Sequence, residues 1–452
     1  MATHDKPVVI VGAGIAGLAA AAKLGQASIP AIILEARDRI GGRILTQQGG
    51  PAGYPVELGA EFIHGMPSEI WDQLQESEIE VDGQNWCASD RGLSRCSFFS
   101  QVDSILEAMD DSLPDESLLD FLQRKFPNPS HDPKLDEAKR RAIAYVSGFN
   151  AADPGLVGVH WLVAEMRAEE KTQGDRAFRS RNGYADLINA FRQQIVHYDV
   201  PIQTGTIVES IVWKPGRVQV KTLGEHGPST LETSQVLVTL PISILKASGQ
   251  PGAVEFVPPL PKGKIAALDK LEMGKVIRIV LRFRQRFWET IAVRGEKTTL
   301  SDMSFLFSED ELFPTWWTTM PEKQPQITGW APFRSAEKLS GKDEAAIVRE
   351  ALQTLSRLLG VSTPNLESCF DTAYLHDWQT DPFSRGAYSY AKVGADGAQQ
   401  TLGTPVSNTL FFAGEATDTS GNNGTVHGAI ASAYRAAREI IEARVSAGER
   451  IA

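Results

Sequence analysis

Val8-Val9-Ile10-Val11 runs into Gly12-Ala13-Gly14-Ile15-Ala16-Gly17 and then into Leu18-Ala19-Ala20-Ala21-Ala22-Lys23-Leu24; a second apolar run, Ala31-Ile32-Ile33-Leu34, ends in Glu35. Strand, glycine turn, small-residue helix and second strand are the opening of a doubly wound α/β unit. Each glycine has its own task. Gly12 permits the tight turn out of the strand, Gly14 lets the backbone approach a pyrophosphate, and Gly17 lets the helix pack closely on the sheet. The helix N-terminus at Ile15 and Ala16 offers free N–H groups to an anion. Glu35 stands where an acid accepts ribose hydroxyls. The stretch predicts a dinucleotide-binding, Rossmann-like domain.

The chain continues Ala36-Arg37-Asp38-Arg39-Ile40-Gly41-Gly42-Arg43. Paired glycines between arginines suit a backbone that wraps further round a pyrophosphate, with guanidinium groups adding charge-assisted contacts. This Glu-Ala-Arg…Gly-Gly-Arg stretch resembles the FAD-binding start of the flavin amine oxidase family, which includes monoamine oxidases, polyamine oxidases and lysine-specific histone demethylases. The resemblance implies an α/β fold. A Rossmann-like FAD domain of the glutathione-reductase/amine-oxidase type would be interleaved with an α+β substrate domain of a sheet plus helices. Residues 1–70, 178–245 and 400–452 would form the first, and 71–177 and 246–399 the second.

Composition sets the outer limits. A chain of 452 residues with 42% hydrophobic residues can build a sizeable core, and its length suggests two domains. No apolar run approaches the ~20 residues that span a bilayer. The polar lead Met1–Pro7 is no signal peptide, and the C-terminal anchor of membrane-bound monoamine oxidases is lacking, so a soluble cytoplasmic protein without a membrane partner is expected. Cys87, Cys96 and Cys369 cannot all pair and show no metal-ligand spacing, so no metal is expected. With 56 acids against 45 bases the net charge is −11, which argues against a nucleic-acid partner and is compatible with a cationic substrate.

Residues 71–175 read as mostly helical and acid-rich, with Asp103, Glu107, Asp110, Asp111, Asp115, Glu116 and Asp120 close together as a solvated face. Phe178–Leu187, with Gly183-Tyr184, resembles the family's entry into a helix. Strands are expected at 202–204, 207–212, 218–220 and 236–241. By resemblance the backbone at Val208 meets the adenine ring. A strand is also expected from Val276 to Leu281, and a final helix from near Thr425, with Ala429, Ala433, Ala437 and Ile441 on one small apolar face.

Phe412-Ala413-Gly414-Glu415-Ala416-Thr417, followed by Gly424-Thr425-Val426-His427-Gly428-Ala429, resembles the family's second cofactor signature. It implies cofactor contact at Gly414, Glu415, Gly424, Thr425 and Val426. Glu57-Leu58-Gly59-Ala60-Glu61-Phe62-Ile63-His64-Gly65 adds Gly59, Ala60 and Glu61 to that set. It also resembles the Ile-His-Gly of spermine-oxidising enzymes, which places His64 beside the substrate amines, with Glu61 a candidate partner for an ammonium. Trp378 matches a tryptophan near the flavin, Tyr388 one aromatic wall of the substrate cage, and Thr425 the opposite wall. Ala387 falls where monoamine oxidases carry the cysteine bonded to FAD, so non-covalent FAD is expected.

One position departs from the family. The lysine that holds a water against the flavin is matched by Arg278, in Leu271-Glu272-Met273-Gly274-Lys275-Val276-Ile277-Arg278. Arginine keeps the charge and can hold a water, but cannot serve as a base. Lys275, on the opposite strand face, cannot replace it. The expected reaction is oxidation of a polyamine of the spermine/spermidine class. Hydride leaves the carbon alpha to nitrogen, the imine hydrolyses to aldehyde and amine, and O2 yields H2O2. The partners are then a small cationic amine and O2, for a monomer or homodimer. Other readings stay open. They are an oxidase of an L-amino acid, whose carboxylate Arg278 or Arg385 would meet, an oxidase of aryl or alkyl monoamines, a flavin-dependent desaturase or isomerase, and a non-catalytic flavoprotein. A histone demethylase is disfavoured for want of a long helical insertion.

Overall fold

The computed structural model describes residues 6–49, 53–74, 78–127, 132–309 and 312–448. Most of the polar lead read for targeting, residues 1–5, lies outside them. Two sheets organise the molecule. The first is parallel and five-stranded, in the order Ile202–Gln203, Ala31–Leu34, Val8–Val11, Val236–Val238, Leu410–Phe412. Its central strands are apolar throughout because helices or another sheet cover both faces. One face carries the helices Ile15–Gln26, Ala185–His197 and Val426–Ser446. Ala429, Ala433 and Ala437 are buried here, and Ile441 packs at the margin. The other face packs on Val208, Ile211, Val218 and Val220 of a small meander, Ile207–Lys214, Arg217–Gly224 and Gly227–Thr233. The fold is thus mixed α/β, with parallel and antiparallel sheets.

The second sheet has seven strands, in the order Phe370–His376, Val276–Phe283, Gln326–Pro332, Thr315–Thr318, Met303–Phe307, Gln84–Ser89, Gly92–Arg95. Along Val276–Phe283 the side chains alternate. Ile277, Ile279, Leu281 and Phe283 enter the core beneath the helices Phe333–Leu339 and Glu344–Leu359, whereas Arg278 and Val280 face the other way, toward the first sheet's loops.

The stretch 71–175 differs from its helical reading. It contains the helices Phe98–Leu106, Leu118–Lys125, Pro133–Gly148 and Val159–Thr172, but Glu78–Glu80, Gln84–Ser89 and Gly92–Arg95 are strands. Gln84–Ser89 pairs in parallel with Met303–Phe307, a partner over two hundred residues away that local pattern cannot announce. A disulfide joins Cys87 to Cys96 across this edge hairpin and leaves Cys369 free. No helix among the described residues is long and apolar enough to cross a membrane.

Candidate active site

A cavity of about 1220 Å³ lies between the two sheets. That is larger than the ~300–1000 Å³ of an ordinary small-molecule site and leaves room for a cofactor and a second molecule. One end is built from the glycine turns. Gly12 has φ +106°, open to glycine at no steric cost. A Cβ on Gly42 would lie 3.0 Å from the Gly14 Cα, so the two turns abut backbone to backbone. Gly41 N–H donates to the Ala13 carbonyl at 2.8 Å and locks them together. The buried Glu35 carboxylate accepts from Ala13 N–H at 2.7 Å and Arg37 N–H at 3.0 Å, and stands in the cavity wall with lone pairs left for ribose hydroxyls. This donor-lined cradle fits the pyrophosphate and ribose of a dinucleotide.

Gly12, Gly14, Ile15, Ala16, Glu35, Ala36, Arg37, Gly41, Gly42, Arg43 and Val208 line that end. Gly59, Ala60, Glu61, Trp378, Gly414, Glu415, Gly424, Thr425 and Val426 line the continuation. Gly17 does not reach the cavity: a Cβ there would collide with the Gly12 carbonyl, so its part is packing rather than contact. Arg37 lines the cradle and also braces it. Its Nη2 donates to Asp381 at 2.6 Å and Ser384 Oγ at 2.9 Å, which makes it a strut.

Glu415 is a second tie. Its Oε1 accepts from Arg43 at 2.9 Å, while Oε2 accepts from Ser389 Oγ at 2.5 Å and Gly424 N–H at 3.0 Å. The Gly424 turn is thereby held so that the Val426–Ser446 helix starts at the cavity. Thr425 caps that helix, its Oγ1 accepting from Gly428 N–H at 3.0 Å and donating to the Asn422 carbonyl at 2.7 Å. Trp378 Nε1 donates to the Leu58 carbonyl at 2.7 Å, which fixes the indole against the cavity. Ala387 lines the cavity and no described cysteine does.

The other end is an aromatic chamber. Phe62, His64, Phe149, Trp317, Trp330 and Tyr388 line it. Tyr388 is pinned by its hydroxyl, which donates to the Phe149 carbonyl at 2.5 Å. Burial, with Glu165 nearby, pushes that phenol far above its ordinary pKa. His64 meets the Phe149 ring edge-on at 5.1 Å. Burial lowers its pKa to about 4, and burial together with His64 does the same to His427. Both imidazoles are therefore neutral at physiological pH.

Arg278 is only 4% exposed. Its Nη1 donates to the Gly59 carbonyl at 2.8 Å, its Nη2 pairs with Glu61, and its guanidinium sits 5.4 Å from the Trp317 ring. Glu61 is held from the other side by Arg179 at 2.5 Å and by Trp317 Nε1 at 3.0 Å. Burial alone would raise the Glu61 carboxyl, but the two guanidiniums keep it below its usual range. The reading of Glu61 as an ammonium partner changes as a result. Glu61 is neutralised within the protein and is no free counter-ion for a substrate. Arg278 has two of its three nitrogens engaged, with only the buried Nε unpartnered. Arg385 lies off the cavity, bonded to Gln250 and the Pro251 carbonyl, so it is not placed to meet a substrate carboxylate.

The sequence reading missed several chamber residues. Asn150, Glu165 and Glu169 line the cavity, as do Tyr145, Trp317 and Trp330. Asp103 and Glu107, read as part of a solvated face, stand at the same cavity. The acid spacing Glu165…Glu169 on one helix was the available signal, but such spacing is also that of an ordinary exposed helix face.

Residues 15–95 and 92–441 match the family model described as flavin-containing amine oxidoreductase. Polyamine oxidase 2 of Arabidopsis thaliana is 27% identical over 471 residues, covering 97% of this chain and 89% of that protein. Lysine-specific histone demethylase 1 homolog 3 of the same plant is 26% identical over 97% of this chain, which spans only 30% of that longer protein. Among solved structures, putrescine oxidase bound to putrescine superposes with a TM-score of 0.78 at 19% identity, covering 97% of this chain and 99% of the other.

Proposed function

The chain belongs to the flavin-containing amine oxidoreductase family, whose cofactor is FAD, and we propose that within it the protein is a polyamine oxidase. The observation that carries this reading is the character of the chamber. It is aromatic, lined by Asp103, Glu107, Glu165 and Glu169, and the arginines that reach it are already paired. Such a chamber attracts a cationic amine through acids and ring faces and gives a substrate carboxylate no partner. Polyamine oxidases among the relatives point the same way. FAD binds without a covalent bond at residue 387, in the body formed by 1–70, 178–245 and 400–452; substrate is met by 71–177 and 246–399 together with His64 and Thr425 of the first body.

When bound, FAD supplies the acceptor for the hydride of the carbon alpha to nitrogen, and O2 then takes the electrons as H2O2. The protein's own residues bind, orient and exclude water. Tyr388, fixed on the Phe149 carbonyl, presents a ring face to the amine, with Thr425 across from it. Neutral His64 accepts or donates a hydrogen bond without adding a positive charge that would repel the substrate. The Arg278–Glu61–Arg179 chain holds its charges on one another, which fixes the wall of the chamber beside it. The resulting imine hydrolyses to an aldehyde and a shorter amine. A cytoplasmic setting belongs to the same reading, although the Cys87–Cys96 disulfide counts against it.

The test is anaerobic mixing of the yellow holoprotein with spermine, spermidine, putrescine, an aryl amine and an L-amino acid, following flavin absorbance. Bleaching by a polyamine, recovering in air, is the expected result. The reacting nitrogen must be neutral, so reduction speeds up as pH rises. Bleaching by none of the amines, or a flat profile from mildly acidic to mildly basic pH, counts against the proposal.

A further inference from the structure

Two acids in the chamber lack a guanidinium partner. Glu61, Asp381 and Glu415 each face a guanidinium. Glu165 and Glu169 stand one turn apart on the Val159–Thr172 helix, both line the cavity, and neither has an ion-pair partner among the described residues. Glu165 is held instead by Asn150, whose Nδ2 donates to its two oxygens at 2.7 and 2.8 Å. Those bonds fix the amide's orientation. Asn150 is only 3% exposed, and its Oδ1 is buried with no donor. A buried acceptor without a donor is a standing cost that an incoming N–H group would remove. Beside it the rings of Tyr145 and Phe149 stack at 5.0 Å and 11°, and the Phe149 carbonyl is the one that Tyr388 holds.

We infer that Asn150, Glu165 and Glu169, flanked by Tyr145 and Phe149, form the subsite for a second, non-reacting ammonium, so that the enzyme selects diamines and polyamines over monoamines of equal length. An alkylammonium has three donors and no acceptor, which complements two carboxylates and an amide oxygen, while ring faces cover its methylenes. The groups that surround the pair act in the same direction. Burial raises both carboxyls, the charge of Glu169 adds to this at Glu165, and that of Asp103 from the Phe98–Leu106 helix adds to it at Glu169. The phenols of Tyr145 and Tyr388 complete the surroundings and bring no positive charge. The cation that would keep the pair ionised has to come with the substrate.

The inference rests on the polyamine oxidase reading, and the experiment separates the two. The holoenzyme and its Glu165→Gln and Glu169→Gln variants are mixed anaerobically with putrescine and with butylamine, which differ by one amino group. The wild type is expected to favour putrescine in the reduction rate constant divided by Kd, and each variant to lower that preference about tenfold or more, mostly through Kd. Equal use of the two amines by the wild type, or a preference unchanged in both variants, overturns the subsite. A second measurement needs no turnover: thermal unfolding of the dithionite-reduced holoenzyme with each amine. Putrescine is expected to raise Tm more than butylamine, and Glu165→Gln to abolish the difference. If neither amine bleaches the flavin, the oxidase reading is judged by the spermine and spermidine arms of the panel above, and this measurement alone decides the subsite. Equal shifts for the two amines then overturn it.

Discussion

Arg278 points at the cavity because Ile277 and Ile279 on either side of it turn into the core, and its charge is tolerated there because Glu61 neutralises it. Removing the guanidinium leaves a buried carboxylate short of one partner. Arg278→Met is therefore expected to destabilise the FAD-loaded protein by about 3 kcal/mol, and Arg278→Lys by less, since a lysine keeps the charge but not the forked geometry. Thermal unfolding with FAD in excess checks both. Glu165 and Glu169 make the opposite case. Their carboxyls titrate higher in the folded chain than in the unfolded one, so the folded state favours the proton. Stability is therefore present below the ordinary carboxylate range and is lost as pH rises through the raised one. Glutamine removes this penalty, and the Tm advantage of Glu165→Gln over wild type is expected to grow from pH 5 to pH 8, by about 2 °C or more at the upper end. An advantage that shrinks with rising pH would contradict the assignment. These residues also mark where sequence reading stops. Gly12, Gly14 and Glu35 declare themselves because a turn and two strands next to them in the chain set their geometry. Glu165 and Glu169 acquire their meaning from Asn150, Asp103 and Tyr145, which lie elsewhere in the chain.

At the scale of elements, the start of the Val426–Ser446 helix was legible to within a residue or so. Thr425 sits between a glycine turn and a run of small residues, the pattern of an N-cap. Thr425→Ala removes the cap on Gly428 N–H and is expected to cost about 1 kcal/mol, with Thr425→Ser restoring most of it. Because the same turn lines the cofactor cavity, FAD affinity should fall with the alanine change and recover with serine, as read by fluorescence titration. The strands at 78–95 were not legible. All three are short and mixed in polarity; Glu78–Glu80 and Gln84–Ser89 also pair with strands that follow much later in the chain, so only the assembled sheet defines them, and Gly92–Arg95 is set by its hairpin with Gln84–Ser89. The disulfide between Cys87 and Cys96 closes this edge. Titration of the unfolded chain is expected to find one thiol without reductant, Cys369, and three after reduction; three from the outset would remove the bond.

At the scale of the molecule, the central parallel sheet draws its five strands from three separate regions of the chain, and the last of them, Leu410–Phe412, comes long after the others. That strand covers the edge of Val236–Val238, and the Glu415 tie to Arg43 follows only three residues later. A fragment ending at residue 400 is expected to emerge colourless and aggregated, because it lacks both the covering strand and half of the cofactor cradle. Dye-free absorbance of the soluble fraction checks this.

The order of that sheet also governs how the protein is made. While the ribosome is still extending the chain, the glycine cradle at the N-terminus has already emerged, yet its sheet lacks an edge and its cofactor lacks a floor. Every residue from Gly12 to Phe412 must be translated before the first motif becomes functional. The nascent chain therefore carries an open apolar edge until the Leu410–Phe412 strand is made, exposed in the meantime to pairing with other chains.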